Sequence, residues 1–284
     1  MRNIAIALVL SAGVSLSAQT VGPAKGTLVI VGGNLQDPAI VKRFIDLAGG
    51  PDAPIVIIPT AGEADDYDQY YSGLKLWREN GATRLTVVHT REKKVANTEA
   101  FVAPIRAARG VFFAGGRQWR LADSYLNTLT HRALDDVLSR GGVIGGTSAG
   151  ASILTSFMVR GDTKSNDKMI GDHTVGLGFL KNAAVDQHLL RRNRQFDMLE
   201  VIDKHPELLG IGLDENTAIV VDGDQFDVIG QSYVVIYSNQ PVAGASGRFY
   251  FMGAGDRFDM KARKATRQGS EWRPLQGVRP PPQK

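Results

Sequence analysis

The chain has 284 residues, 43% hydrophobic and 22% charged, enough to bury one sizeable core or two small ones. It has no cysteine, which excludes disulfides, thiolate metal sites and a cysteine nucleophile. The formal charge of +4 comes from residues 259–284, which carry seven Lys/Arg against two Asp/Glu. No aromatic–basic interleaving accompanies that run, so it does not argue for a nucleic-acid groove.

Met1-Arg-Asn is a short cationic start, Ile4 to Leu10 is apolar, and Ser15-Leu-Ser-Ala18 offers small residues for cleavage. This pattern predicts a secretory signal peptide over 1–18, too short for a comfortable bilayer span, and an exported periplasmic or extracellular protein. No later run is long and apolar enough to cross a bilayer. Thr27-Leu-Val-Ile-Val31 predicts a first strand, ended by Gly32-Gly33-Asn34, and apolar spacing over 39–48 predicts a helix. Ile55-Val-Ile-Ile58 predicts a second strand, ended by Thr60-Ala61-Gly62, and 67–80 a helix. Leu85–Val88 and Gly110–Phe113 are further strands around a helix near 98–107. Two helical stretches follow within Leu121–Leu138, and Val143-Ile144 belongs to a fifth strand.

Continuous β-branched runs alternating with helical segments mean βαβ units. The expected fold is α/β, a mostly parallel sheet flanked by helices. Ligand sites in such sheets lie at the carboxyl ends of strands, where four of these loops could converge. Residues 160–178 are polar and glycine-rich and read as a long loop or hairpin. Ala183-Ala-Val185 leads into Asp186-Gln187-His188, then a helix carrying Leu189, Leu190, Phe196, Leu199 and Ile202. Leu208–Leu213, Thr217–Val221, Phe226–Ile229 and Tyr233–Tyr237 predict β segments, a mixed or antiparallel extension of the sheet. The expected division is a signal peptide over 1–18, one α/β domain over 19–258, and a basic, proline-rich tail over 259–284, extended or disordered.

The chemistry centres on Gly146-Thr147-Ser148-Ala149-Gly150, which fits the G-x-S-x-G nucleophile elbow. A serine on a tight strand-to-helix turn pushes its hydroxyl clear of the main chain, and the next N–H, from Ala149, points toward a developing oxyanion. No Lys-Ser/Thr pair ends the stretch, which argues against a phosphate-cradling loop. A serine needs a base. His205 sits among charges, His131 opens a helix, His89 follows a strand and His173 lies in the polar loop. His188 is flanked by Asp186, Gln187, Arg191, Arg192 and Arg194. The residues alone leave several candidates. Short acidic clusters show no metal-ligand spacing, so no metal is expected.

Gly-Gly-Thr-Ser-Ala-Gly-Ala at Ser148, Asp-Gln-His-Leu-x-x-Arg-x-Arg from Asp186, and Gly-Ile-Gly-Leu-Asp-Glu-Asn-Thr-Ala around Glu215 resemble three signatures of the cyanophycinases. Phe112-Phe-Ala-Gly-Gly-Arg-Gln118 resembles a fourth, a Gly-Gly-x-Gln loop. These serine peptidases are related to the aspartyl dipeptidases and have a class I glutamine-amidotransferase-like, flavodoxin-like fold. The resemblance spans roughly residues 27–240. It implies Ser148 as nucleophile, His188 as general base and Glu215 as orienter of the imidazole, with Asp214 the alternative. It further implies oxyanion N–H groups at Gly116 and Ala149, and a substrate pocket lined by Gln118, Asp186, Gln187, Arg192 and Arg194. It requires no cofactor and suggests a homodimer.

The order Ser, His, Glu differs from that of α/β-hydrolases. Two positions depart from the family pattern. Asp197 stands where an arginine is expected, and Arg117 where an acid is common. A swap at both places preserves an ion pair or retunes the substrate, unless both residues are exposed and bear on neither. The expected function is a secreted serine peptidase cleaving aspartyl peptide or isopeptide bonds, cyanophycin or β-Asp-Arg fragments among them. The alternatives are a non-catalytic binding protein for aspartyl peptides, and a serine amidase or esterase of other specificity.

Overall fold

The computed structural model describes residues 20–243 and 247–267. The expected signal peptide and the tail beyond 267 lie outside these residues.

Five parallel strands form one side of the larger sheet: β1 (Thr27–Val31), β2 (Ile55–Ile58), β3 (Leu85–Val87), β4 (Gly110–Phe113) and β5 (Val143–Thr147). Their helical crossovers are α1 (Pro38–Ala48), α2 (Leu74–Glu79), α3 (Glu99–Ala107), and α4 (Gln118–Tyr125) with α5 (Leu129–Ser139). Alternation along β1 shows why both faces are covered. Leu28 and Ile30 enter one core with α3, α4 and α5, whereas Val29 and Val31 enter another with α1 and α2. Asp37 caps α1 by accepting from the Ala39 N–H, with Pro38 at its first turn, and Thr98 and Thr128 cap α3 and α5.

After β5 the chain makes a four-residue helix, α6 (Ala149–Ser152), then β6 (Thr155–Phe157) and β7 (Leu180–Gln187). The short α7 (Met198–Lys204) precedes β8 (Leu209–Leu213), β9 (Thr217–Asp222), β10 (Gln225–Gly230) and β11 (Val234–Tyr237). The last strands are β12 (Phe249–Met252), β13 (Arg257–Asp259) and β14 (Lys264–Thr266). The C-terminal strands do not form one extension as expected. They divide between a nine-stranded sheet, ordered β14-β13-β10-β9-β1-β5-β4-β2-β3, and a five-stranded sheet, ordered β12-β11-β8-β7-β6. The smaller sheet packs Val185, Ile211 and Val234 into the main core, while its other face is covered by Met198, Val201 and Ile202 of α7.

Three further expectations are corrected. The domain does not stop at 258: β13 pairs with β10 and β14 with β13, because Phe258 and Met260 are buried within an otherwise basic stretch. Helix 67–80 shrinks to α2, since Asp66 and Asp68 accept the N–H groups of Tyr67 and Tyr70 and hold turns that compete with helix. The helix expected from Leu189 begins only at Met198. His188 and Asn193 have φ of 55°, and Asp214 takes the N–H groups of Leu190 and Arg191. Among the described residues no helix is long and apolar enough to cross a membrane.

Candidate active site

Ser148 stands where β5 turns into α6, with φ 56° and ψ −117°. A side chain rarely holds this conformation, and here the surroundings impose it. The Ser148 N–H donates to Val31 O of β1, and a Cβ on Gly146 would lie 2.0 Å from Gly150 O, so only glycine lets the turn close this tightly. The hydroxyl therefore projects at the carboxyl edge of the parallel strands.

His188 follows β7 directly, and its N–H donates to Gly32 O. Its Nε2 lies 2.9 Å from Ser148 Oγ and its Nδ1 2.7 Å from Glu215 Oε1. The imidazole thus joins the elbow to the loop after β8. Asp214, the alternative orienter, is occupied elsewhere. One of its oxygens takes Leu190 and Arg191 N–H groups and the other takes the Ser232 hydroxyl, so it shapes the chain after His188.

Gly33 is the floor under the ring. It has φ 132°, and a Cβ there would sit 2.3 Å from His188 Cε1. Gly33→Ala is expected to displace the imidazole and lower kcat/KM by about 100-fold or more, with the far-UV circular dichroism unchanged. Activity within a few-fold of wild type would contradict this placement.

Burial pushes the His188 pKa below 6.5. The Glu215 carboxylate opposes the shift, and the nearby Arg192 and Arg194 guanidinium groups add to it. A base must be neutral to accept a proton, so lowering its pKa extends the active range downward in pH. The acid limb of kcat/KM should therefore have its midpoint below 6.5, and Arg192→Ala should move it upward. A midpoint above 6.5 in a pH–rate profile would reject this account of the imidazole.

The loop after β4 reaches the same place: a Cβ on Gly115 would lie 3.2 Å from Ser148 Cβ. Gly116 packs on Ala61 O, which accepts the Arg117 N–H. Among the described residues neither the Gly116 nor the Ala149 N–H has a partner in the protein. Two unspent donors beside a serine hydroxyl are what an oxyanion requires.

The five residues expected to line a pocket differ in situation. Arg192 is exposed. Arg194 is buried and donates to Gln187 O at 3.3 Å. Gln187 is 4% exposed, with its Oε1 buried and unpartnered. Gln118 is buried and its amide nitrogen donates to Val159 O. Asp186 lines no surface: it is 0% exposed, and both its oxygens accept from Arg160. Arg117 and Asp197 do not pair with each other. Arg117 donates to Asp162 O, and Asp197 accepts from Arg160.

Sequence reasoning missed Asn34, whose Nδ2 donates to Glu215 Oε2 at 3.1 Å and so fixes the second carboxylate oxygen. It also missed Asn216, whose side chain accepts the Gln36 and Asp37 N–H groups and ties the loop after β1 to that after β8. The signal available was an asparagine directly after Gly33 and another directly after Glu215.

Fold and site place the chain among α/β proteins carrying a serine–histidine–carboxylate line at the carboxyl edge of a parallel sheet. The model of peptidase family S51 matches residues 28–229, and the chain belongs to that family of serine-type peptidases. The chain is 31% identical over 260 residues to a cyanophycinase from Geminocystis herdmanii, covering 84% of this chain and 94% of that protein. It is 30% identical to a cyanophycinase from Nostoc sp., covering 88% and 90% respectively. Among solved structures, a peptidase from an acI-B1 Actinobacterium superposes with a TM-score of 0.65 at 23% identity, covering 84% of this chain and 98% of that one. A peptidase E-type protein from Listeria monocytogenes gives 0.51 at 17% identity, covering 74% of this chain and all of that one. At these identities the structural likeness establishes the fold.

Proposed function

We propose that this protein is a secreted serine peptidase that hydrolyses aspartyl isopeptide bonds of the β-Asp-Arg type through an acyl-enzyme. The observation that carries the reading is the hydrogen-bonded line from Ser148 through His188 to Glu215, at 2.9 and 2.7 Å. His188 Nε2 accepts the hydroxyl proton as Oγ attacks the scissile carbonyl. Glu215 holds the remaining ring proton on Nδ1 and stabilises the imidazolium. The Gly116 and Ala149 N–H groups receive the oxyanion. The amine leaves with the proton from His188, which then takes one from water as water attacks the ester. Arg192 and Arg194 supply donors for a substrate carboxylate. The relatives named cyanophycinases support an aspartyl–arginine substrate. The charge pattern of residues 1–18 supports export with removal of that segment, and the family resemblance supports a homodimer.

The deciding experiment is hydrolysis of α- and β-linked aspartyl dipeptides by protein lacking residues 1–18. Cleavage of β-Asp-Arg above its α-linked isomer is expected. Cleavage of α-linked peptides alone would reject the isopeptide reading, and no cleavage together with no labelling by a serine-directed acylating probe would reject the enzyme. Mass spectrometry of the exported protein checks the N-terminus, and light scattering checks the dimer.

A further inference from the structure

Arg160 is 1% exposed, among the largest fully buried side chains of the protein. Its Nε and Nη2 donate to Asp186 Oδ1 and Oδ2 at 2.7 and 2.8 Å, the planar fork that a guanidinium offers a carboxylate. Nη2 also donates to Asp197 Oδ2 at 2.7 Å, and Nη1 to the carbonyls of Asn166 and Asp167 at 3.1 and 3.3 Å. All five N–H donors are engaged. A buried pair of this kind is weak grounds for stability, since apolar residues of similar volume commonly do as well. What it can provide is position.

The position concerned is that of the base. Asp186 stands two residues before His188, and Asp197 opens the first turn of α7 after the irregular stretch that carries Arg192 and Arg194. One guanidinium therefore holds both ends of the segment bearing His188, while Asp214 holds its middle through Leu190 and Arg191. His188 has φ 55°, which persists only where neighbours over-determine the backbone. The same short stretch also faces the other side of the site. Val159 O takes the Gln118 amide and Asp162 O takes Arg117, the two residues that follow Gly116. Residues 159–162 thus brace the base segment against the oxyanion loop. Both charge departures in the sequence belong to this brace: Asp197 accepts from Arg160, and Arg117 donates to Asp162 O.

We propose that Arg160 is a positioning residue for the reaction. Acting through Asp186 and Asp197, it sets where His188 stands relative to Ser148 and the Gly116 loop. This rests on the peptidase reading above. The test compares wild type, Arg160→Ala, Asp197→Arg and the double variant, all lacking residues 1–18. Active sites are counted with a fluorophosphonate probe, and hydrolysis of β-Asp-Arg is measured per titrated site. Arg160→Ala should lower kcat per titrated site by about 100-fold, with KM within about threefold. The double variant returns a guanidinium to Asp186 from position 197 and should recover about tenfold or more of that loss, whereas Asp197→Arg alone should not exceed wild type.

A merely structural role would reduce the number of titrated sites and leave kcat per site unchanged. Either that result, or a double variant no better than Arg160→Ala, overturns the proposal. Should Arg160→Ala fail to fold, Arg160→Lys, which keeps the charge but not the fork, is read by the same criteria. If wild-type protein takes no probe, the peptidase reading fails instead. The positioning of His188 is then read from its Nδ1 proton resonance. That resonance should be sharp in wild type and the double variant and lost in Arg160→Ala, and its persistence in Arg160→Ala refutes the role.

Discussion

Ser148→Ala is expected to lower kcat/KM toward β-Asp-Arg by about 10⁵-fold or more, because the proposed reaction makes Ser148 Oγ the attacking atom. The substitution keeps Cβ, so the backbone at φ 56° and the Val31 contact are retained. KM should change little, since the pocket groups remain. The control is thermal unfolding of both proteins, which should agree within a few degrees. Retention of more than a hundredth of the activity would mean that a different nucleophile performs the cleavage. The remaining serine near the elbow, Ser152, is buried and donates to Val185 O, and so offers no replacement.

Glu215→Gln is expected to cost about 10³–10⁴-fold in kcat, and the neighbouring geometry says why. Asn34 Nδ2 donates to Oε2, so the new carboxamide would be held with its carbonyl toward Asn34. Its NH₂ would then face His188 Nδ1, where Oε1 now accepts at 2.7 Å. That forces the ring proton onto Nε2, the nitrogen that takes the Ser148 proton in the proposed mechanism. Lost stabilisation of the imidazolium adds to the defect. Steady-state kinetics should place the loss in kcat with KM nearly constant. A variant within tenfold of wild type would remove Glu215 from the mechanism and leave its contact with the ring a structural one.

Much of this fold is legible in the sequence, for a physical reason. β1, β2 and β4 are short continuous apolar runs followed within four residues by glycine, and strands covered on both faces require little else of a chain. The elbow is legible because a serine turn of that tightness demands glycine at fixed places. Legibility stops where distant residues override local preference. Leu189, Leu190, Phe196, Leu199 and Ile202 have helical spacing. Yet Arg160, 26 residues from Asp186 and 37 from Asp197, holds that stretch in another conformation together with Asp214. The split into two sheets is equally tertiary, since β8 and β9 are separated by only Asp214, Glu215 and Asn216, yet pair in different sheets. The choice of Glu215 over Asp214 depended on the motif, and in the structure it is Glu215 Oε1 that reaches the ring.

Ser148 and His188, the two residues between which the proposed mechanism passes a proton, both rest at positive φ. Each such residue costs on the order of 1–3 kcal/mol, against a net folding stability of about 5–15 kcal/mol for a typical domain. The resting protein therefore carries a permanent thermodynamic burden at the two positions on which the proposed reaction turns. Glycine at position 148, free of a Cβ, would relieve that cost there and remove the hydroxyl with it, so stability and the proposed chemistry pull this position in opposite directions.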